Sequence, residues 1–345
     1  MIRFGIIGCG NISKFHFNAI EKAGACVTYI ADINKEAVLP WCEKTGALYT
    51  NDYKTLIDSP DVDVVSILAS AKFHKDMALY AIEKGKAVVC EKTMANNGEE
   101  AFEIVSAAKK KNVLFFTTYM KRFFPAVVKG KELSPRLGRI ISAQVRSYQP
   151  WGDFFTAKDL GWAENVTNNF GGAILKCAGS HMLDMTMHFL GRPNSVYANI
   201  DYFLNTDFDR RVSAIMSFDD NIVATFETIP HPLTKIGYEK NSWDEKIEIN
   251  GTGGRLEIYT VMWDAPENNG ALLKFYDNET ESETEYRYTP VNPFDIEIAE
   301  IIKAVEQGKQ INPDVIDGFN VDVLIGAMKE SNEKKAAVKI DWRGL

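Results

Sequence analysis

The chain has 345 residues, a formal net charge of −8, and 46% hydrophobic and 25% charged residues. This is ordinary globular composition with length for two domains, and its negative field argues against nucleic acid or an anionic membrane as the partner. Five scattered cysteines (Cys9, Cys26, Cys42, Cys90, Cys177) without a Cys-x-x-Cys pair suit reduced thiols, and no apolar run approaches membrane-spanning length. With no signal-peptide pattern at the start, the expectation is a cytoplasmic protein that acts away from membranes.

In chain order, Ile2–Ile7 is a short apolar run fit for a buried strand. The turn Gly8-Cys9-Gly10-Asn11-Ile12-Ser13 follows, then a helical pattern to about Lys22, the run Cys26–Ile30, and Asp32. Gly8 allows a tight turn, and Gly10 lets backbone approach a pyrophosphate. The helix N-terminus then offers N–H groups and a positive dipole end. Asp32 comes 19 residues after Ser13, where a carboxylate accepts both ribose hydroxyls of a dinucleotide. Ser13 takes the third glycine position. Asp32 favours NAD, because a 2′-phosphate would meet its charge; Lys35 nearby keeps NADP open.

Strand and helix patterns go on alternating. Lys35–Thr45 is helical, Leu48–Tyr49 a short strand, Asp52–Ile57 a capped helix, and Asp63–Leu68 a buried strand. His74–Lys84 is helical, Ala87–Cys90 a strand, Gly98–Lys111 a helix, and Val113–Thr117 a strand. Such alternation predicts a doubly wound parallel sheet over residues 1–122. From Phe123 the pattern changes. A helix at Phe124–Leu133 leads to a strand at Ile140–Arg146, a long loop at Tyr148–Phe170 and a helix at Ser180–Leu190. Strands follow at Ser195–Phe203, Val212–Phe218, Ile222–Ile229, Lys246–Ile249, Leu256–Thr260, Leu272–Tyr276 and Thr284–Tyr288. Two helices, Phe294–Gln307 and Gly318–Glu333, close the chain. Residues 123–345 are expected to form an α+β domain on a large, open, mostly antiparallel sheet, the charged stretch Asp277–Glu285 being a solvated loop or strand edge.

Ala87–Cys90 runs directly into Glu91-Lys92-Thr93, which sheet geometry brings to the cofactor edge. Alone, Lys92 reads as a solvated loop lysine or an ion-pair partner of Glu91; beside a nicotinamide it reads as a proton donor and acceptor. His181 opens an apolar helix, as a core histidine or a site residue. His181, Asp184 and His188 share one helix face, but no fourth ligand is suggested and hydride transfer needs no metal, so none is expected. Trp151 and Trp162 in the long loop, with Asn165, Asn168 and Asn169, suit a polyhydroxylated substrate or anchor the loop in the core. Lys176 reads as a neighbour that lowers the thiol pKa of Cys177, as a binder of an anionic substrate group or as a group that positions a hydroxyl, a buried inert Cys177 being the commoner case. Tyr119 and Arg122 sit where the last strand meets the second domain.

These residues carry a family resemblance over nearly the whole length. The chain resembles the glucose–fructose oxidoreductase and inositol dehydrogenase family, Gfo/Idh/MocA. The likeness rests on Gly8–Ser13 with Asp32, Asp61–Val65 ahead of His74, and Ala81–Val88 leading into Glu91-Lys92-Thr93. It extends to Lys121-Arg122-Phe123, Leu137–Ile140, and Gly171-Gly172-Ala173 ahead of Gly179-Ser180-His181. It implies a Rossmann domain followed by an α+β substrate and oligomerisation domain. It implies an NAD(P)-dependent oxidoreductase passing hydride to or from a carbinol carbon of a sugar, cyclitol or derivative. Lys92 and His181 become the catalytic pair, and Gly8, Gly10, Asn11, Ile12, Asp32 and Glu91 the cofactor contacts. Tyr119, Arg122, Trp151, Trp162, Lys176 and Cys177 join Lys92 and His181 at the substrate, and a homodimer or homotetramer is implied. The family's Glu-Lys-Pro is Glu91-Lys92-Thr93 here, and its Asp-x-x-x-His aspartate falls on Cys177. A same-fold enzyme using bound NAD for glycoside cleavage or non-sugar reduction, and a non-catalytic NAD(H)-dependent regulator, are the alternatives.

Overall fold

Strand β1 (Arg3–Ile7) lies third in a six-stranded parallel sheet. The computed structural model describes residues 1–170, 172–262 and 270–345; Gly171 of the Gly171-Gly172-Ala173 run and the Phe170 side chain fall outside them. After β1 come α1 (Ser13–Lys22), β2 (Cys26–Ala31), α2 (Lys35–Thr45), β3 (Leu48–Thr50), α3 (Tyr53–Asp58), β4 (Val64–Ile67), α4 (His74–Glu83), β5 (Ala87–Glu91), α5 (Gly98–Lys111) and β6 (Phe115–Thr118). The spatial order β3-β2-β1-β4-β5-β6 reverses at β1, and such sheets bind ligands beyond the carboxyl ends of their strands at that point. Strands β4 and β6 are buried throughout and β1 and β5 nearly so, as strands covered on both faces must be. Local chemistry sets the helix starts. Asn34, Asp52 and Asn97 each cap a first-turn N–H, of Glu36, Lys54 and Glu100. Helix α5 also has Glu99 and Glu100 in its first turn and Lys109–Lys111 in its last, matched to its dipole.

The second block opens with α6 (Pro125–Leu133) and β7 (Ile140–Gln149). Helices α7 (Ala163–Phe170) and α8 (Ser180–Leu190) come next. Then follow β8 (Ser195–Tyr202), β9 (Asp209–Ser217), β10 (Val223–Pro230), β11 (Asp244–Gly251), β12 (Gly254–Tyr259), β13 (Leu272–Asp277) and β14 (Ser282–Arg287). Helices α9 (Pro293–Gln307) and α10 (Val315–Lys334) and the short β15 (Val338–Lys339) close the chain. Nine strands form one mixed sheet in the order β14-β13-β12-β11-β7-β10-β9-β8-β15. Only β7 and β10 pair in parallel among them; every other pairing is antiparallel. Period-two alternation sends Ala143, Val145, Ala224, Phe226, Ile247 and Ile249 to the buried face. Gln144, Arg146, Thr225, Glu227, Lys246 and Glu248 face the other way.

Packing divides the chain into two units, residues 1–120 with 294–322 and residues 121–293 with 323–345. The expected boundary at residue 122 put 294–322 in the second block, yet they pack with the first. The physical reason lies at β6, whose free edge needs partners: Phe116 bridges Asp314, Thr117 donates to the Asp314 carbonyl, and Gln310 bonds both backbone groups of Phe115. The long loop expected at Tyr148–Phe170 contains α7, which three asparagines of low helix propensity had hidden. The charged stretch from Asp277 is the end of β13, a turn and the exposed edge strand β14. Among the described residues no helix is long and apolar enough to cross a membrane.

Candidate active site

In the first unit, β1 delivers Gly8 at φ +100°, where a Cβ would stand 2.7 Å from the backbone nitrogen of Ala69. Only glycine fits that turn. At Gly10 an added Cβ would meet nothing within 4 Å, so the backbone there faces open space. Ser13, at the third glycine position, turns its hydroxyl back on the Gly10 carbonyl at 2.8 Å, which absorbs its extra atom. Helix α1 then begins with no side-chain cap and no acidic residue in its first turn. Its amino-terminal N–H groups and dipole therefore suit an external anion. Asp32 accepts the Cys9 N–H at 2.7 Å and the Asn34 N–H at 2.8 Å, locking the glycine turn to the end of β2. One bond to each oxygen leaves lone pairs for ribose hydroxyls. These residues fit an NAD diphosphate and ribose. Burial first, then the charge of Asp32, pushes the Cys9 thiol up to about 12, so it stays protonated in the turn.

Two strands along, β5 ends in Glu91 and releases Lys92, which is half-buried. Glu91 is buried, with Oε1 3.2 Å from His16 Nε2 and Oε2 accepting the Lys92 backbone N–H at 3.1 Å. Burial pushes its carboxyl up, but the His16 contact and the Lys92 charge outweigh that and hold it below the usual carboxylate range. Both oxygens of this expected cofactor contact thus have protein partners. The Lys92–Thr93 peptide bond is cis, at the position of the proline in Glu-Lys-Pro. His74 lies beneath it, Nδ1 2.9 Å from the Thr93 carbonyl and Nε2 2.9 Å from the Ala69 carbonyl. Tyr119, expected among the substrate contacts, is wholly buried and presents no surface to a ligand.

In the second unit a five-residue π-helical turn, Leu175–Gly179, carries Lys176 and Cys177 straight into α8, with His181 in its first turn. π-Turns next to helices are frequent at functional sites. Lys176 is 3% exposed and His181 8%. Buried Asp209 receives the backbone N–H groups of Ala173 and Leu175, both at 2.5 Å, and so fixes the entry to that turn. Burial raises its carboxyl to about 6, against the pull of those two hydrogen bonds. One turn beyond His181, Asp184 takes a bidentate pair from Arg122, Nε at 2.8 Å and a terminal nitrogen at 2.5 Å, both side chains buried. Arg122, expected at the substrate, spends these donors on α8; Asp184 serves the same pair. Beside it Lys121 is buried against Glu245, which also accepts from Ser147, Gln149 and Thr260. Of the loop tryptophans, Trp151 packs on the cluster of Phe154, Leu160, Ala163 and Phe208. Trp162, edge-on to it at 5.5 Å, is 56% exposed.

Sequence reasoning passed over His16, His74, Asp209 and Glu245 as working parts. His16 did leave a signal, a polar residue in the apolar stripe Ile12, His16, Ile20 of α1. Asp209 left none, since Asp207-Phe208-Asp209 reads as turn.

A parallel nucleotide sheet with an uncapped phosphate helix and a ribose carboxylate, joined to a large mixed-sheet unit, defines an NAD-binding oxidoreductase. Residues 2–119 match the family model described as oxidoreductase family, NAD-binding Rossmann fold, and residues 133–340 that described as oxidoreductase family, C-terminal alpha/beta domain. The chain belongs to this family, Gfo/Idh/MocA. It is 24% identical to levoglucosan dehydrogenase of Pseudarthrobacter phenanthrenivorans over 98% of both chains. Identity to myo-inositol 2-dehydrogenase of Thermotoga maritima is 23% over 99% of each. A structure of levoglucosan dehydrogenase with NADH and levoglucosan has the same fold, with a TM-score of 0.85 at 23% identity covering 99% of both chains.

Proposed function

We propose that this chain is an NAD(P)-dependent dehydrogenase of the CH–OH group of a sugar, a cyclitol or a close derivative. The observation that carries the reading is Lys92, released from β5 in the sheet whose β1 and β2 present the glycine turn and Asp32. Bound NAD(P) supplies the hydride chemistry. Gly8, Gly10, Asn11 and Ile12 form the phosphate turn and Asp32 holds the ribose. Ile33, 93% exposed beside it, offers an apolar surface to the base. Lys92 Nζ takes the substrate hydroxyl proton in oxidation and returns it in reduction. His181 orients that hydroxyl, Lys176 and Cys177 line the substrate side, and Trp162 offers a ring face to sugar C–H groups.

The named relatives give no support to glycoside cleavage or to a purely regulatory role. The test is an NADH-formation screen over sugars, cyclitols and sugar acids, run beside Lys92→Ala. We expect turnover by the parent and a loss of about 100-fold or more in kcat for the variant, with NADH binding kept. Full activity in Lys92→Ala refutes the mechanism.

The protein is also proposed to be a homodimer or homotetramer through the outward face of the nine-stranded sheet. That face holds a concavity of about 460 Å³. Arg146 and Lys246 alternate there with Glu227 and Glu248, and Tyr197 and Ile215 are exposed among them. Such a mosaic of both charges around apolar side chains is complementary to itself.

A further inference from the structure

We propose that His16 and His74 are positioning residues that hold the Glu91-Lys92-Thr93 turn from two sides and thereby set where Lys92 Nζ stands. The proposal rests on the reading of Lys92 as the proton-handling group. All the contacts lie within the first unit.

From α1, His16 is fully buried, and its one hydrogen bond among the described residues is to the carboxylate of Glu91. A carboxylate accepts and cannot donate, so Nε2 carries the hydrogen. The other oxygen of that carboxylate accepts the Lys92 N–H at 3.1 Å. The histidine thus acts on the lysine backbone through one intervening side chain. Its Nδ1 has no hydrogen-bond partner among the described residues, and the ring stands edge-on to Phe294 at 5.8 Å. A polar atom buried in that way is a cost. Packing alone would be met better by phenylalanine or leucine, so the ring is there for its Nε2.

From the start of α4, His74 is buried with both nitrogens 2.9 Å from carbonyl oxygens, one of Thr93 and one of Ala69. Carbonyls accept only, and burial disfavours the charged ring, so His74 carries one N–H and gives it to one carbonyl, that of Thr93 when Nδ1 holds the hydrogen. Ala69 is the residue whose backbone abuts Gly8. His74 therefore ties the peptide after Lys92 to the chain segment that shapes the cofactor turn. A shift of about 1 Å in a catalytic group costs roughly 100-fold in rate, so two such ties have a kinetic purpose.

The two roles differ in which nitrogen matters, and amides can tell them apart. Gln places its donor near the Nε2 position of histidine, Asn near Nδ1. At position 16 the needed donor is Nε2, so His16→Gln should work and His16→Asn fail. At position 74 the donor toward Thr93 is Nδ1, so His74→Asn should work and His74→Gln fail. We expect the working pair to stay within about 3-fold of the parent kcat and the failing pair to lose about 10- to 100-fold, with KM and NADH affinity little changed. Hydrogen exchange of residues 88–97, read by mass spectrometry, should quicken about tenfold in the failing pair alone, while β1 stays protected. This crossed pattern is not what a volume effect produces. Equal behaviour of Gln and Asn at either position, or losses confined to KM or NADH affinity, would overturn the proposal. If Lys92→Ala keeps full activity, the functional reading falls by itself. The exchange pattern then decides alone whether the histidines hold the turn: crossed upholds it, uncrossed overturns it.

Discussion

Asp209 should make the second unit less stable as pH rises from 5 to 8, against the usual trend for a buried, hydrogen-bonded aspartate. It is 3% exposed and raised to about 6, against an ordinary value of about 3.9. A carboxyl raised on folding favours the protonated folded state. Its contribution is fully present below the unfolded value and is lost as pH rises through about 6. The whole shift corresponds to about 3 kcal/mol, and the part falling between pH 5 and pH 8 to roughly 1 kcal/mol. Asp209→Asn removes the titration. It also sets an amide NH2 against one of the N–H groups of Ala173 and Leu175, a pH-independent loss of about 1–3 kcal/mol. The measurement is urea unfolding followed by tryptophan emission at pH 5, 6, 7 and 8. Trp151, Trp162, Trp243 and Trp342 all belong to the unit that holds Asp209, and the one described tryptophan of the other unit, Trp41, is replaced by phenylalanine in both proteins so that the probe is local. The difference between variant and parent should shift in favour of the variant by roughly 1 kcal/mol across that range, with most of the change below pH 7. Other titrating groups cancel in the difference. A constant difference, or a shift in favour of the parent, would refute the assignment of Asp209 as a carboxyl ionised at a cost.

Arg122→Met should cost about 3–5 kcal/mol, because it leaves Asp184 buried without its bidentate partner; Arg122→Met with Asp184→Leu should recover most of that. A single variant within about 1 kcal/mol of the parent in urea unfolding would show the pair to be idle. Ile215→Arg, at a site 48% exposed on the outward sheet face, should lower the mass measured by light scattering toward that of one chain, whereas an unchanged oligomer would place the interface elsewhere.

Residues 1–120 were almost fully legible in the sequence, because most of their decisions are local. Helices Lys35–Thr45 and Gly98–Lys111 have the expected limits, set by Asn34 with Gly46 and by Asn97 with Asn112, residues next to the ends they make. The position of Lys92 followed from strand order alone. What could not be read is long-range. The return of residues 294–322 depends on β6 needing an edge partner about 200 residues later, as Phe115 with Gln310 illustrates. The bond between Asp209 and Ala173 joins residues 36 apart, with all of α8 and β8 between them. The π-turn at Leu175–Gly179 had no signal either, since its one-residue expansion leaves composition unchanged. Arg122 and Asp184 were both singled out, but their union, 62 residues apart, was not.

The buried charges of the second unit bear directly on the Cys177 position. Among the described residues its buried carboxylates are Asp184, Asp209, Asp244 and Glu245. Asp184 is held by Arg122, Asp209 by two backbone N–H groups and Asp244 by Arg146. Glu245 is held by Lys121, Ser147, Gln149 and Thr260. Moving Asp184, Asp209 or Glu245 to replace the family's aspartate would strip a buried cation or an orphan N–H of its partner, at a cost of several kcal/mol, whereas Asp244 pairs with the half-exposed Arg146. Asp209 therefore fixes the entry to the π-turn and Asp184 holds α8, while Asp244 and Glu245 tie β11 to β7. On the proposed mechanism, proton handling on the substrate side then falls to His181 rather than to one of these carboxylates. On that mechanism the placement of Lys92 would carry more of the rate than it would with an aspartate present, and the proposed hold of two buried histidines on its turn would answer that demand.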